Sequence, residues 1–262
     1  MNGDIHFRTD TLEFHHSTSM PTPDFIPSHA HNKTELLLLL GGEASYVMED
    51  SRRKLCKNDI VITRPAVFHS IDVECGTLYD RFSILFDHTR IDGIDFSSVF
   101  DKINVVNCSE MSIINQNIKK MELYCLRYDE KSFCDLAYML IKEIFYNLLM
   151  SGRDSASGKE YKNPLLSEAL QYINTNLNTI ADITEISRAI HISTSYLCRI
   201  FNRHLKITPK KYITDKRLLE AQNAIRAGGS PTETAAAVGF CEYSTFYRCY
   251  LRKFGYAPSE ER

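Results

Sequence analysis

Two segments in the last third of the chain repeat each other at an offset of 49 positions. Ile186 pairs with Ala235, Ala189 with Val238, Leu197 with Phe246, Arg199 with Arg248, Phe201 with Tyr250, Leu205 with Phe254 and Pro209 with Pro258. A unit duplicated at fixed spacing restricts the fold to one built from two copies of a small supersecondary element. Each copy reads as a short helix, a turn and a longer helix. Gly239 permits the positive φ that such a turn often needs, whereas Ile190 stands there in the first copy, so its turn must differ. The small residues Ser187 and Ala236 are expected where the paired helices approach. Start signals are clear: Asp182-x-x-Glu185 and Ser230-Pro231-Thr232-Glu233 have capping-box spacing, the second directly after Gly228-Gly229. Thr208-Pro209 opens a long helix to Ala227 that spaces the two units.

Charge divides the chain in the same place. Residues 1–160 hold 17 Lys/Arg against 24 Asp/Glu, a balance of −7, while residues 161–262 hold 14 against 9, a balance of +5. The acidic part should avoid nucleic acid and the basic part should seek it. At 262 residues there is room for one large or two ordinary domains. The aliphatic run Leu36 to Leu40 is too short to span a bilayer, and no export leader is evident. Eight cysteines without C-x-x-C spacing read as scattered reduced thiols of a cytoplasmic protein.

From about residue 5 to 106, short β-rich runs such as Asp59–Thr63 and Arg81–Phe86 alternate with turn signals at Gly41-Gly42, Lys57-Asn58-Asp59 and Cys75-Gly76. This predicts an antiparallel sandwich or barrel. Residues 111–128 and 132–150 follow as amphipathic helices, the second with a wide apolar stripe from Phe133 to Leu149. The small, polar stretch 151–160 reads as a flexible linker. The expected organisation is thus α+β in two domains: a sensing domain over 1–108, a helical dimerisation element over 109–150, a linker over 151–162 and an all-α domain over 163–262. Its helix-turn-helix units fall at about 182–204 and 231–253.

In the first unit, spacing sends Tyr196, Leu197, Ile200 and Phe201 to the core and turns Ser195, Cys198, Arg199 and Asn202 outward. In the second, Tyr243, Ser244, Tyr247, Arg248 and Leu251 face out. An exposed arginine can bond guanine O6 and N7 bidentately, worth roughly 1–3 kcal/mol of discrimination. Arg203, Arg252 and Lys253 lie further along and suit phosphates. One exposed arginine means little; two at equivalent places of a repeat point to sequence-specific binding of double-stranded DNA.

These residues resemble the AraC-type family of bacterial transcription regulators over about 100 C-terminal residues. The resemblance rests on Ser193-x-x-Tyr196-Leu197-x-Arg199-x-Phe201, Lys216-Arg217-Leu218-x-x-Ala221, Val238-Gly239-Phe240, Phe246-x-Arg248-x-Tyr250, Phe254-Gly255, Pro258 and Arg262. It implies a seven-helix domain, a homodimer, contact with RNA polymerase and a role in activation. Departures are Lys206 in place of glycine, Thr234-Ala235, and Glu261 in place of an aromatic residue, which should loosen the last turn.

In the acidic part, His29-Ala-His31-x-x-x-Glu35 with Gly42, then Pro65-x-x-x-His69, resembles the two signature segments of a cupin barrel. Even spacing lets an extended strand point His29, His31 and Glu35 the same way. In metal-binding cupins these four positions ligate an ion. Here a structural or ligand-contact role is preferred, with no metal and no cofactor expected. An inward polar face would suit a small-molecule effector such as a carbohydrate. The function read is therefore a ligand-responsive DNA-binding regulator and not an enzyme. The alternatives are a metal-dependent cupin enzyme and a regulator controlled by a partner protein.

Overall fold

The computed structural model describes residues 4–20, 27–74, 76, 78–102, 105–150 and 160–261. The N-terminal part is two antiparallel sheets laid face to face. One has six strands, in the order β1 (Ile5–Arg8), β2 (Leu12–Ser19), β8 (Tyr79–Phe86), β3 (Thr34–Gly41), β6 (Asp59–Thr63) and β9 (Val105–Asn107). The other runs β10 (Glu160–Lys162), β5 (Ser51–Leu55), β4 (Ala44–Met48), β7 (His69–Val73).

The run Leu36–Leu40 is continuous because β3 is covered on both faces. Leu37 and Leu39 meet Tyr46, Leu55 and Tyr79 in the core that includes residues of both sheets. Leu36 and Leu38 point the other way, into a core with α2 (Ser112–Arg127) and α3 (Glu130–Met150). The apolar stripe of α3 (Phe133, Ala137, Leu140, Ile141, Ile144, Phe145, Leu148) is buried in that core. A short helix, α1 (Phe96–Lys102), was not expected; its Phe96 and Val99 join the same core.

Residues 151–159 of the expected linker lie outside the described residues. Residues 160–162 are no free linker: they form β10, paired with Ser51–Arg53, and Arg53 Nη2 donates to Glu160 Oε2 at 3.0 Å. Three exposed residues carry too little periodicity to announce a strand, and only the partner edge reveals it.

Past β10 come α4 (Pro164–Asn176), α5 (Ile183–Ala189), α6 (Thr194–Leu205), α7 (Pro209–Arg226), α8 (Pro231–Ala237) and α9 (Tyr243–Phe254), ending in a 3-10 turn at Pro258–Glu260. The capping box at α5 forms: Asp182 Oδ1 accepts from the Thr184 amide at 2.7 Å and Glu185 Oε1 from the Asp182 amide at 3.1 Å. Thr208 caps α7 through the Lys211 amide. Ser230, expected to do likewise for α8, makes no side-chain cap bond.

The repeat offset is not 49 throughout. Ile192 N–H bonds Ser187 O as Phe240 N–H bonds Ala235 O, and the left-handed turn residues are His191 (φ 56°) and Gly239 (φ 90°). The first helices therefore match at an offset of 48, pairing Ile186 with Thr234 and Ile190 with Val238. The recognition helices α6 and α9 match at 49, with Lys206 (φ 56°) and Gly255 (φ 85°) closing them. The first turn is one residue shorter. Ala235, not Ala236, is the buried small residue of the second unit.

Helix α7 serves both units: Tyr212, Ile213 and Leu219 enter the core of the first, Leu218, Ala221 and Ile225 that of the second. Arg217 locks them together, donating to Leu177 O, Ile180 O and Gly239 O at 2.7–2.9 Å. A Cβ at Gly239 would lie 2.4 Å from Asn178 O, so glycine is required there for closeness as well as for φ. Glu261 overturns the expectation of a loose end. Its carboxylate accepts from Tyr250, from Tyr256 (2.8 Å), Gln222 (3.1 Å) and Arg226 (2.7 Å), and its side chain is 1% exposed.

Candidate nucleic-acid interface and sensor cluster

Helices α6 and α9 each bury one face and expose the other. Leu197, Ile200, Phe201 and Leu205 are buried in α6, Phe246 and Tyr250 in α9. Ser195, Arg199, Asn202 and Arg203 are exposed and Cys198 half-buried, as expected. Tyr196, expected in the core, is instead 39% exposed, and the Arg199 guanidinium lies 5.3 Å from its ring centroid. Cys198, Arg199, Asn202, Arg203 and Lys206 line a shallow concavity on α6. In α9, Tyr243, Ser244, Tyr247, Arg248, Leu251 and Arg252 are exposed. Arg248 Nε donates to Ser244 O at 3.3 Å, which aligns the side chain along the helix.

Lys253 departs from the phosphate-contacting role. It turns inward, 16% exposed, with Nζ 3.4 Å from Ala30 O and 3.8 Å from Asp215. Burial lowers its pKa, partly offset by the Asp215 carboxylate. Sequence periodicity places Lys253 at the rim of α9; the contact with residue 30 has no local signal.

That contact is one of several joining the two parts. The Ser28 amide donates to Leu205 O (3.1 Å), Asn32 Nδ2 to Leu219 O (3.0 Å) and Gln222 Oε1 (2.8 Å), and Tyr212 OH to Glu49 Oε1 (2.8 Å). Ala30 and Phe68 are buried in the core of the first helix-turn-helix unit.

His29, His31, Glu35 and His69 do come together, though not on one strand. Strand β3 starts only at Thr34, and His29 pairs with His69 of β7 in an isolated antiparallel bridge. Glu35 Oε2 lies 2.8 Å from His69 Nε2 and 3.4 Å from His31 Nε2. Burial would raise the Glu35 pKa, but the two imidazoles outweigh it and hold the carboxyl below its ordinary value. Tyr46 stacks on His69 at 5.9 Å and bonds Thr63 at 2.6 Å. Tyr46, Tyr79 and Arg81 are buried or half-buried polar neighbours that sequence reading did not single out.

Cavities beside the histidines open between the two parts. One of about 350 Å³ is lined by His31, Asn32, Lys33, Arg8, Glu13, Gln222 and Arg226 among others. Asn32 Oδ1 is buried there with no hydrogen-bond partner among the described residues. The inward face expected to line a pocket is filled instead by Leu37, Leu39, Tyr46, Val61 and Tyr79. No helix among the described residues is long and apolar enough to cross a membrane.

Residues 186–262 match the family model described as a helix-turn-helix domain. An uncharacterized HTH-type transcriptional regulator, YdiP of Escherichia coli (strain K12), is 21% identical over 249 residues, covering 89% of this chain and 80% of that protein. The raffinose operon transcriptional regulatory protein RafR of Pediococcus pentosaceus is 28% identical over 125 residues, covering 47% of this chain and 45% of that protein. A solved regulator from Chromobacterium violaceum, described as an AraC-type DNA-binding domain-containing protein, is 28% identical, covers 38% of this chain and 89% of that one, and has a TM-score of 0.36. Over residues 186–262 the chain thus carries a helix-turn-helix domain, and it is similar to HTH-type transcriptional regulators.

Proposed function

We propose that the chain is a sequence-specific DNA-binding regulator whose helices α6 and α9 enter successive major grooves on one face of a duplex. The observation that carries this is the matched exposure of Arg199 and Arg248 on two helices locked to one rigid spacer, α7. Ser195, Cys198, Arg199, Asn202, Tyr243, Ser244, Tyr247 and Arg248 are the proposed base-edge and groove contacts; Arg203 and Arg252 are the phosphate contacts. Selection of the purified chain against random duplexes tests it. A bipartite motif, its parts about 34 Å apart, is the expected result; no enrichment over competitor contradicts it.

The cleft between the parts is the proposed effector site. Its charged and amide lining suits a small hydroxylated molecule. A carbohydrate is the favoured class, since RafR, whose name ties it to a raffinose operon, is among the relatives. An effector there acts only through unequal affinity for docked and undocked arrangements. Activation, contact with RNA polymerase and a cytoplasmic site of action are the roles proposed with it. So is a homodimer: once the α3 stripe is spent on the sheet, Leu123, Leu126, Met139, Tyr146 and Met150 remain exposed on α2 and α3. A regulator is preferred to an enzyme because the polar groups serve the contact between sensor and reader.

A further inference from the structure

We propose that the groove between α7 and α9 is a third DNA contact, in which Lys210 and Lys211 hold phosphates of the minor groove lying between the two major grooves that α6 and α9 enter. This rests on the DNA-reading function proposed above and assigns the stretch of duplex that neither recognition helix reaches. The groove measures about 720 Å³. From α7 it is lined by Thr208, Lys210, Lys211 and Thr214, and from α9 by Cys249 and Arg252. Arg252 is the proposed phosphate contact of α9, so a backbone strand that reaches it also reaches the lysines across the groove.

The same band continues to the first unit. The shallow concavity on α6 runs from Arg199 to Arg203 and Lys206, and Lys206 stands two residues before Thr208, the cap of α7. Arg203, Lys206, Lys210, Lys211 and Arg252 are all exposed. Together they carry positive charge from one recognition helix to the other. Two helices one turn apart on one face of a duplex leave the intervening minor groove turned toward whatever joins them. Here that is the start of α7, which sequence reading treated only as a spacer.

Charge on the groove walls points the same way. Four cations (Lys210, Lys211, Arg252 and Lys253) face one carboxylate, Asp215. That carboxylate is already shared, with Oδ2 2.9 Å from Lys211 Nζ and 3.8 Å from Lys253 Nζ. Lys253 is held inward by Ala30. The Lys211 side chain is 57% exposed, and an ion pair so open to solvent yields readily to a phosphate. The remaining wall is Pro27, Ser28 and His29, so the sensor, acidic as a whole, brings no carboxylate to this face. Lysine acts here as a point charge on a flexible stem, which grips a backbone without reading its bases.

The test uses the full chain and a duplex site obtained by selection, with affinity measured by fluorescence anisotropy across a range of salt. Lys210→Ala/Lys211→Ala should reduce the slope of log affinity against log salt by about 2, and its deficit should shrink about tenfold between about 50 and 200 mM salt. Lys210→Ala alone, outside the Asp215 pair, should reduce the slope by about 1. Lys210→Arg/Lys211→Arg should keep the wild-type slope. Neutral methylphosphonates placed between the two halves of the site should weaken binding by the wild type but not by the double alanine variant. The same groups within either half should weaken both. An unchanged slope in the alanine variants, or equal weakening of wild type and double variant by central methylphosphonates, overturns the third contact while leaving the footprints of Arg199→Ala and Arg248→Ala as they are. Failure of the wild type to select any site overturns the DNA-reading proposal itself.

Discussion

The Phe68 ring, from the loop before β7, lies 4.3 Å from that of Tyr212 in α7, centroid to centroid. Phe68 is fully buried, although it belongs to the sensor and its surroundings belong to the reader. Truncating a buried phenylalanine costs roughly 3–5 kcal/mol. For Phe68→Ala most of that loss should fall on the joint. Calorimetry is expected to show one cooperative transition in the wild type and two in the variant. A single transition merely shifted downward would mean that the joint does not hold the parts together.

Glu261 is the second point of leverage. Burial would raise its pKa, but hydrogen bonds from Tyr250, Tyr256, Arg226 and Gln222 outweigh this and hold it below the ordinary carboxylate value. The unfolded chain therefore takes up a proton first. The stability that Glu261 contributes is full above about pH 4.3, its unfolded value, and is lost as pH falls through the lower folded value. Gln at 261 would leave Arg226, 43% exposed, free to turn to water, so the expected cost is that of weakened charge-assisted hydrogen bonds, about 1–3 kcal/mol. Glu261→Gln should thus melt well below the wild type at pH 7 and show a flatter acid limb, as measured by circular dichroism.

Lys253 and Arg252 should differ despite adjacency. Each phosphate contact removed reduces the slope of log affinity against log salt by about 1. Arg252→Ala and Arg203→Ala are expected to do so. Lys253→Ala is expected to leave the slope alone and to speed hydrogen exchange at Ala30 and Asn32 instead. An equal slope change for all three would place Lys253 back on the phosphates.

The exposed apolar residues of α2 and α3 make the dimer testable. Leu126→Glu and Met139→Glu should shift sedimentation of the full chain toward the monomer without lowering its melting temperature. A wild type already monomeric at the concentrations of DNA binding would contradict the dimer.

The sequence exposes those parts whose signals are local. Helix periodicity, the Asp182–Glu185 box and the β-rich runs report their own neighbourhoods, and all appear where expected. What periodicity misses is set by distant partners. Strand β10 exists because β5 offers an edge, and Lys253 turns inward because Ala30 and Asp215 are there. The departure at Glu261 reads as a defect until Tyr250, Tyr256, Gln222 and Arg226 are seen around it. The offset of 49 holds for the recognition helices, but a turn one residue shorter makes it 48 before them, which pairing by residue type alone did not resolve. For the sensor, the four signature residues do meet, yet the cavity beside His31 opens toward the reader, a geometry no segment encodes by itself.

The central claim is that Arg199 and Arg248 read separate turns of one duplex. Footprinting of a selected site with Arg199→Ala and with Arg248→Ala tests it most directly. Each variant is expected to lose protection in a different half of the site, about one helical turn apart, at a cost of roughly 1–3 kcal/mol. Identical footprints for the wild type and both variants, or loss in the same half for both, would contradict it.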